Sequence, residues 1–124
     1  MQGDEFLVSS ASFMGKPGNE IIMVLVTASS MKEANKIAKS MIQEKRAACV
    51  NVLPTMTSIF HWQGKVQKSR ETLLIFKTTG RQFSALKRGI CSIHSYEIPE
   101  IISFRVDQGL PQYVDWVVAE TTSN

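Results

Sequence analysis

Two long β-rich stretches joined by a two-residue turn constrain this chain more than any other feature. Ala48–Trp62, ACVNVLPTMTSIFHW, and Lys65–Thr79, KVQKSRETLLIFKTT, are rich in β-branched and aromatic residues, and they flank Gln63-Gly64, a pair suited to a hairpin turn. Each strand of that hairpin runs to about 13–16 residues, against the usual five or six. At about 3.3 Å per residue it extends well past the sheet of one subunit. Unpaired edges of that length invite pairing with another chain, so the pattern predicts that the hairpin engages neighbouring subunits. Pro54 cannot donate to a ladder and predicts a bulge or an edge position in the first of the two strands.

The remaining elements fall on either side of this hairpin. IIMVLVTA (Ile21–Ala28) is a continuous apolar run that reads as a strand buried on both faces. Ser30, with Glu33 three residues later, predicts a capping box. Behind it, Ala34, Ile37, Ala38, Met41 and Ile42 form one apolar helical stripe opposite Lys32, Lys36 and Lys39. Phe83, Leu86, Ile90 and Ile93 mark a second amphipathic helix, EIISFRV a fourth strand, and Pro111 the first turn of a last helix through Tyr113 and Trp116. The order β-α-β-β-α-β plus a C-terminal helix is the ferredoxin-like split βαβ arrangement, an α+β fold whose antiparallel sheet has helices on one face. Residues 1–19 lack periodicity, and Gly15, Lys16, Pro17 and Gly18 break whatever precedes the first strand, so they read as a flexible N-terminal extension to a single domain, 20–124.

Composition narrows the class. At 44% hydrophobic and 20% charged the chain is an ordinary globular one, and its longest apolar run is too short to span a bilayer. Asp4 and Glu5 stand where a signal peptide needs positive charge, so a cytoplasmic location is expected, without membrane insertion. Cys49 and Cys91 match no zinc spacing or disulfide framework. Residues 60–90 hold seven basic side chains against Glu71, and residues 91–124 hold Arg105 against five acids. Opposite charges so distributed suit contacts between subunits as well as they suit nucleic acid.

The skeleton itself decides no function. An RNA-recognition module needs exposed aromatics on its two central strands; IIMVLVTA has none and ETLLIFKT only Phe76, so no nucleic-acid partner is expected. A copper chaperone of this topology carries CxxC after its first strand, where this chain has TASSM. The seven glycines form no phosphate-cradling loop. Nucleophilic catalysis would require Cys91 or a serine beside His94 with a third group orienting it; adjacency in sequence shows no such triad, and no enzymatic activity is expected.

Taken together, Ala47-Ala48-Cys49-Val50-Asn51, Thr57-Ser58-Ile59, Trp62-x-Gly64-Lys65, Lys77-Thr78, His94-x-Tyr96-Glu97-x-Pro99-Glu100 and Tyr113-x-x-Trp116 resemble the CutA divalent-cation tolerance proteins over residues 21–119. The resemblance implies a ferredoxin-like subunit in a tight homotrimer held by the long hairpin strands, with ligand pockets at subunit interfaces. Bacterial members are associated with tolerance to copper and other divalent cations, and animal members with the anchoring and processing of acetylcholinesterase. In members described as copper binders the ligands fall at the positions of Val26, Ile93 and His94, of which only His94 is a ligand type.

The cluster CSIHSYEIPE (91–100) therefore has two readings. Cys91, His94 and Glu97 offer sulfur, nitrogen and oxygen donors that copper, zinc or another divalent cation accepts. Alternatively, Cys91 faces the core and His94 bonds at a helix C-terminus. Trp62 reads as an interface anchor. Lys65, Tyr96, Glu100 and Trp116 are taken as interface or structural positions, and Cys49 as packing. Lys77, inside an apolar strand, calls for a carboxylate from Glu71, Glu97 or Glu100. The expected function is that of a homotrimeric protein of the metal-ion response, with copper or another divalent cation as ligand. The alternative is a trimeric regulatory or anchoring scaffold that binds another protein, with metal affinity incidental.

Overall fold

The computed structural model describes residues 16–122. Within them run β1 (Ile21–Ala28), α1 (Met31–Gln43), β2 (Cys49–Trp62), β3 (Lys65–Thr79), a short 3-10 turn (Gly80–Gln82), α2 (Phe83–Ile93), β4 (Ile101–Arg105) and α3 (Pro111–Glu120). The four strands form one antiparallel sheet in the order β2-β3-β1-β4, the split βαβ arrangement expected from the element order.

Alternation along β1 sorts the sheet into two faces. Ile22, Val24, Val26 and Ala28 point to the inner face, where Leu74 and Phe76 of β3 join them under Ala34, Ile37, Ala38 and Met41 of α1 and Leu86 and Ile90 of α2. That is the main core. The stripe read on α1 stops at Met41, and Ile42 is exposed. The C-terminal helix departs from the expectation of helices on one face. Val114, Val117 and Val118 of α3 pack on Ile21, at one end of the outer face. Ile21 is odd in the alternation, so the helix that covers it lies across the sheet from α1 and α2. The rest of the outer face stays open, with Leu53, Ile102 and Phe104 exposed.

The hairpin carries both predicted irregularities. Leu53 pairs with Leu73 but Met56 with Glu71, so β2 holds one extra residue beside Pro54, a bulge. Gln63 and Gly64 adopt φ of 52° and 78°, the left-handed pair of a type I′ turn. Pairing of β3 with β1 ends at Thr72, whereas pairing with β2 continues to Lys65. Beyond the sheet, the stretches 56–62 and 65–71 are therefore a two-stranded ribbon, roughly 20 Å long.

The entry to β1 is tied down. Arg81 donates its backbone N–H to Gly18 O at 2.8 Å, and its guanidinium donates to Pro17 O at 2.8 Å and Asn19 Oδ1 at 2.9 Å. Residues 16–19 of the expected extension are thus fastened to the domain; residues 1–15 lie outside the described ones. No helix among the described residues is long and apolar enough to cross a membrane.

Candidate functional site

The 91–97 turn sits where α2 ends against the start of α1. Ser30 caps α1, its Oγ accepting the Glu33 N–H at 3.1 Å. The Glu33 carboxylate does not return the bond to the cap residue as a capping box would. It accepts from Ser29 N–H (3.0 Å) and Ser29 Oγ–H (2.7 Å), and with its other oxygen from Ser95 N–H at 2.7 Å. Burial alone would push this carboxyl up, but the bonds from Ser29 and Ser95 outweigh it and hold Glu33 at about 2. Glu33 thereby staples the 91–97 turn to the loop before α1.

His94 ends α2, its N–H bonding Ile90 O at 2.9 Å. Its side chain is fully buried, although its backbone is partly exposed. Nε2 lies 2.7 Å from Thr27 O, so it carries the proton and donates it. Nδ1 accepts the Tyr96 N–H at 3.0 Å, with Glu33 Oε2 at 3.7 Å. Tyr96 in turn stacks against His94 at 4.7 Å between ring centroids and donates its hydroxyl to Glu71 Oε2 at 2.7 Å. Burial, that bond and the charges of Glu71 and Glu33 all raise the Tyr96 phenol.

The candidate metal ligands are not gathered by this turn. Cys91 is exposed, which also removes the alternative in which it faces the core. Glu97 is exposed as well. Among the described residues no group of three or more His, Cys, Asp or Glu is placed to hold a metal ion. His94 has both ring nitrogens engaged. Within one subunit, then, these residues do not fit a copper or zinc site.

On the outer face none of the carboxylates expected for Lys77 is paired with it among the described residues. Glu71 is committed to Tyr96, and Lys77 Nζ instead donates to Asn51 Oδ1 and lies 4.0 Å from Cys49 Sγ. Lys77 pairs directly with Cys49 in the β2–β3 register, and Tyr113 of α3 lies against that cysteine. The Tyr113 phenol is raised by burial and by its bond to the Cys49 thiol. Tyr113 and Trp116 rings stand 5.7 Å apart at the rim. Trp62 is exposed at the hairpin tip, Lys65 beside it, and Glu100 before β4.

Sequence reasoning names Glu33 as half of a capping box and Asn51 and Tyr113 as family-like positions, but takes none of the three as a site residue. The spacing of Ser30 and Glu33 carried a signal for the first, but pointed it at the wrong backbone donor. Asn51 and Tyr113 are joined to Lys77 and Cys49 by strand register and by the path of α3, which no local pattern encodes.

Comparison with known proteins fits this geometry. The family model described as CutA1 divalent ion tolerance protein matches residues 22–120. A Thermus thermophilus divalent-cation tolerance protein CutA is 41% identical over 99 residues, which cover 80% of this chain and 96% of that one. A mouse protein CutA is 38% identical over 116 residues, 92% of this chain but only 66% of the longer mouse protein. The crystal structure of CutA1 from Oryza sativa superposes with a TM-score of 0.83 at 35% identity, covering 88% of this chain and 100% of that one. With its strand order, its overlong hairpin and a family match running from β1 to the end of α3, the chain belongs to the CutA1 divalent ion tolerance protein family.

Proposed function

We propose that the protein acts in divalent-cation tolerance as a homotrimer whose long hairpins lock the subunits together. The observation that carries this reading is the ribbon beyond the sheet. A lone two-stranded hairpin is marginal in water, and this one carries exposed apolar side chains on both sides. Phe60 and Trp62 project from one face and Ile59 and Val66 from the other, at 68% exposure for each of the last two. Such a ribbon has no core of its own to bury into. The open outer face of the sheet, with Leu53, Ile102 and Phe104, supplies apolar surface for a second and third copy. The name of the Thermus thermophilus relative, divalent-cation tolerance protein, supplies the context. The free thiols of Cys49 and Cys91 suit a reducing compartment, and we place the protein in the cytoplasm. Sedimentation velocity at micromolar concentration is expected to give three times the subunit mass; a monomer there would overturn the assembly.

The metal half of the reading requires that a copper or other divalent ion gather Cys91, His94 and Glu97 of the 91–97 turn, which one subunit does not bring together by itself. A ligand role for His94 requires that an ion displace Thr27 or Tyr96 from the ring. That engagement of both nitrogens favours a second reading, a trimeric scaffold for a protein partner with metal affinity incidental. Calorimetric titration with Cu(II), with Cu(I) under reducing conditions and with Zn(II) separates the two. Saturable binding near one ion per subunit, lost in His94→Ala, supports the metal site; weak surface association alone supports the scaffold.

A further inference from the structure

Among the described residues, Lys77 is the one cation set into the outer face of the four-stranded sheet. Along β3 it stands between Ile75 and Thr79, and it faces Met23 and Cys49 across the two ladders. It is half-buried, and its partners among the described residues are an amide oxygen, Asn51 Oδ1, and a sulfur, Cys49 Sγ. An ammonium has three donors, and among the described residues one oxygen acceptor meets them. The acid on the same strand face, Glu71, serves Tyr96. Neither partner of Lys77 is a carboxylate and the contact is open to solvent, so an anion that reaches this face would take the donors that water otherwise meets. We propose that Lys77, with Asn51, Cys49 and Tyr113 around it, is a receptor for a carboxylate, supplied by a small molecule or by a second copy of this chain.

A carboxylate suits the site better than a phosphate. The cluster brings one ammonium, a primary amide and a phenol, which balance a single negative charge, whereas phosphates are gripped by several charged donors or by the Arg fork. The surroundings also accept an apolar body, since Met23 and Ile75 flank Lys77 on the sheet and Tyr113, paired with Trp116, lies against Cys49. A second copy can supply the same group, because residues 91–124 hold five acids against Arg105. The site is built from one subunit's residues and does not rest on the trimer.

The test titrates sodium benzoate at constant ionic strength into Trp62→Phe protein, reading Trp116 fluorescence, alongside Lys77→Met and Lys77→Arg in that background and sedimentation of each. For a free carboxylate, saturable binding is expected that weakens at least tenfold in Lys77→Met and survives in Lys77→Arg. For a carboxylate from a second copy, benzoate does not bind the intact assembly, and Lys77→Met dissociates at protein concentrations at least tenfold higher than its parent. Benzoate binding indifferent to Lys77→Met, or no binding together with unchanged assembly in that variant, overturns the proposal. Lys77→Gln repeats the test if Lys77→Met fails to fold. A monomeric parent that still binds benzoate through Lys77 would remove the trimer and leave this site standing.

Discussion

Glu33 accepts three hydrogen bonds from two segments far apart in sequence, and each is assisted by its charge. Its carboxyl sits at about 2 in the folded chain against 4.5 when unperturbed. A carboxyl depressed on folding contributes stability that is fully present above its unfolded value and is lost as pH falls toward the folded one. The contribution is bounded at roughly 3 kcal/mol by the size of the shift, and the window is pH 4.5 to 2. Glu33→Gln is therefore expected to lower stability by about 2 kcal/mol at pH 7. Thermal melts of both proteins from pH 7 downward should show that gap closing below pH 4.5; a gap independent of pH would mean the charge is irrelevant. His94 stands one bond away and was legible only in part. Its position at a helix end could be read from the spacing of Phe83, Leu86, Ile90 and Ile93, but its partners Thr27 and Tyr96 depend on how β1 and α2 meet.

The elements follow the sequence closely where one local rule decides them. Alternation and β-branching place β1 and the hairpin, helical spacing places α1 and α2, and Pro54 and Gln63-Gly64 mark the bulge and the turn. What local rules omit is the side of the sheet an element takes. The apolar residues of α3 suit either face, and only the odd position of Ile21 with the length of the 106–110 connection brings it opposite to α1. The turn offers the sharpest test at this scale. A Cβ on Gly64 would meet nothing within 4 Å, so crowding plays no part and only its φ of 78° resists substitution. Gly64→Ala is expected to cost about 1 kcal/mol, the penalty of the left-handed region for a residue with a side chain. Gln63→Asn, which favours the same region, should gain a few tenths of a kcal/mol. Denaturant midpoints of the two variants should move in opposite directions, and a shared direction would remove the type I′ assignment.

At the scale of the whole molecule, the main core and the ribbon make separable demands. The inner face is closed by α1 and α2, with Val24, Val26, Ile37, Leu74, Phe76, Leu86 and Ile90 fully buried within one subunit. The ribbon contributes nothing to that core, yet it presents Ile59, Phe60, Trp62 and Val66 to solvent. If the ribbon ended in water, carboxylates at Ile59 and Val66 would be close to neutral, since polar changes at exposed positions fall within about 0.5 kcal/mol. If it inserts between copies, each buried carboxylate is left without a partner and costs several kcal/mol of association. The double variant Ile59→Glu, Val66→Glu is thus expected to sediment as a monomer under conditions where the parent is expected to sediment as a trimer. Its helical circular dichroism should persist, because α1 and α2 pack on residues the substitutions do not touch. Its melting temperature should also lose the dependence on protein concentration that linked assembly gives the parent. A variant that keeps the parent's mass and concentration dependence would show that the subunits meet elsewhere, across the open face of Leu53, Ile102 and Phe104 alone.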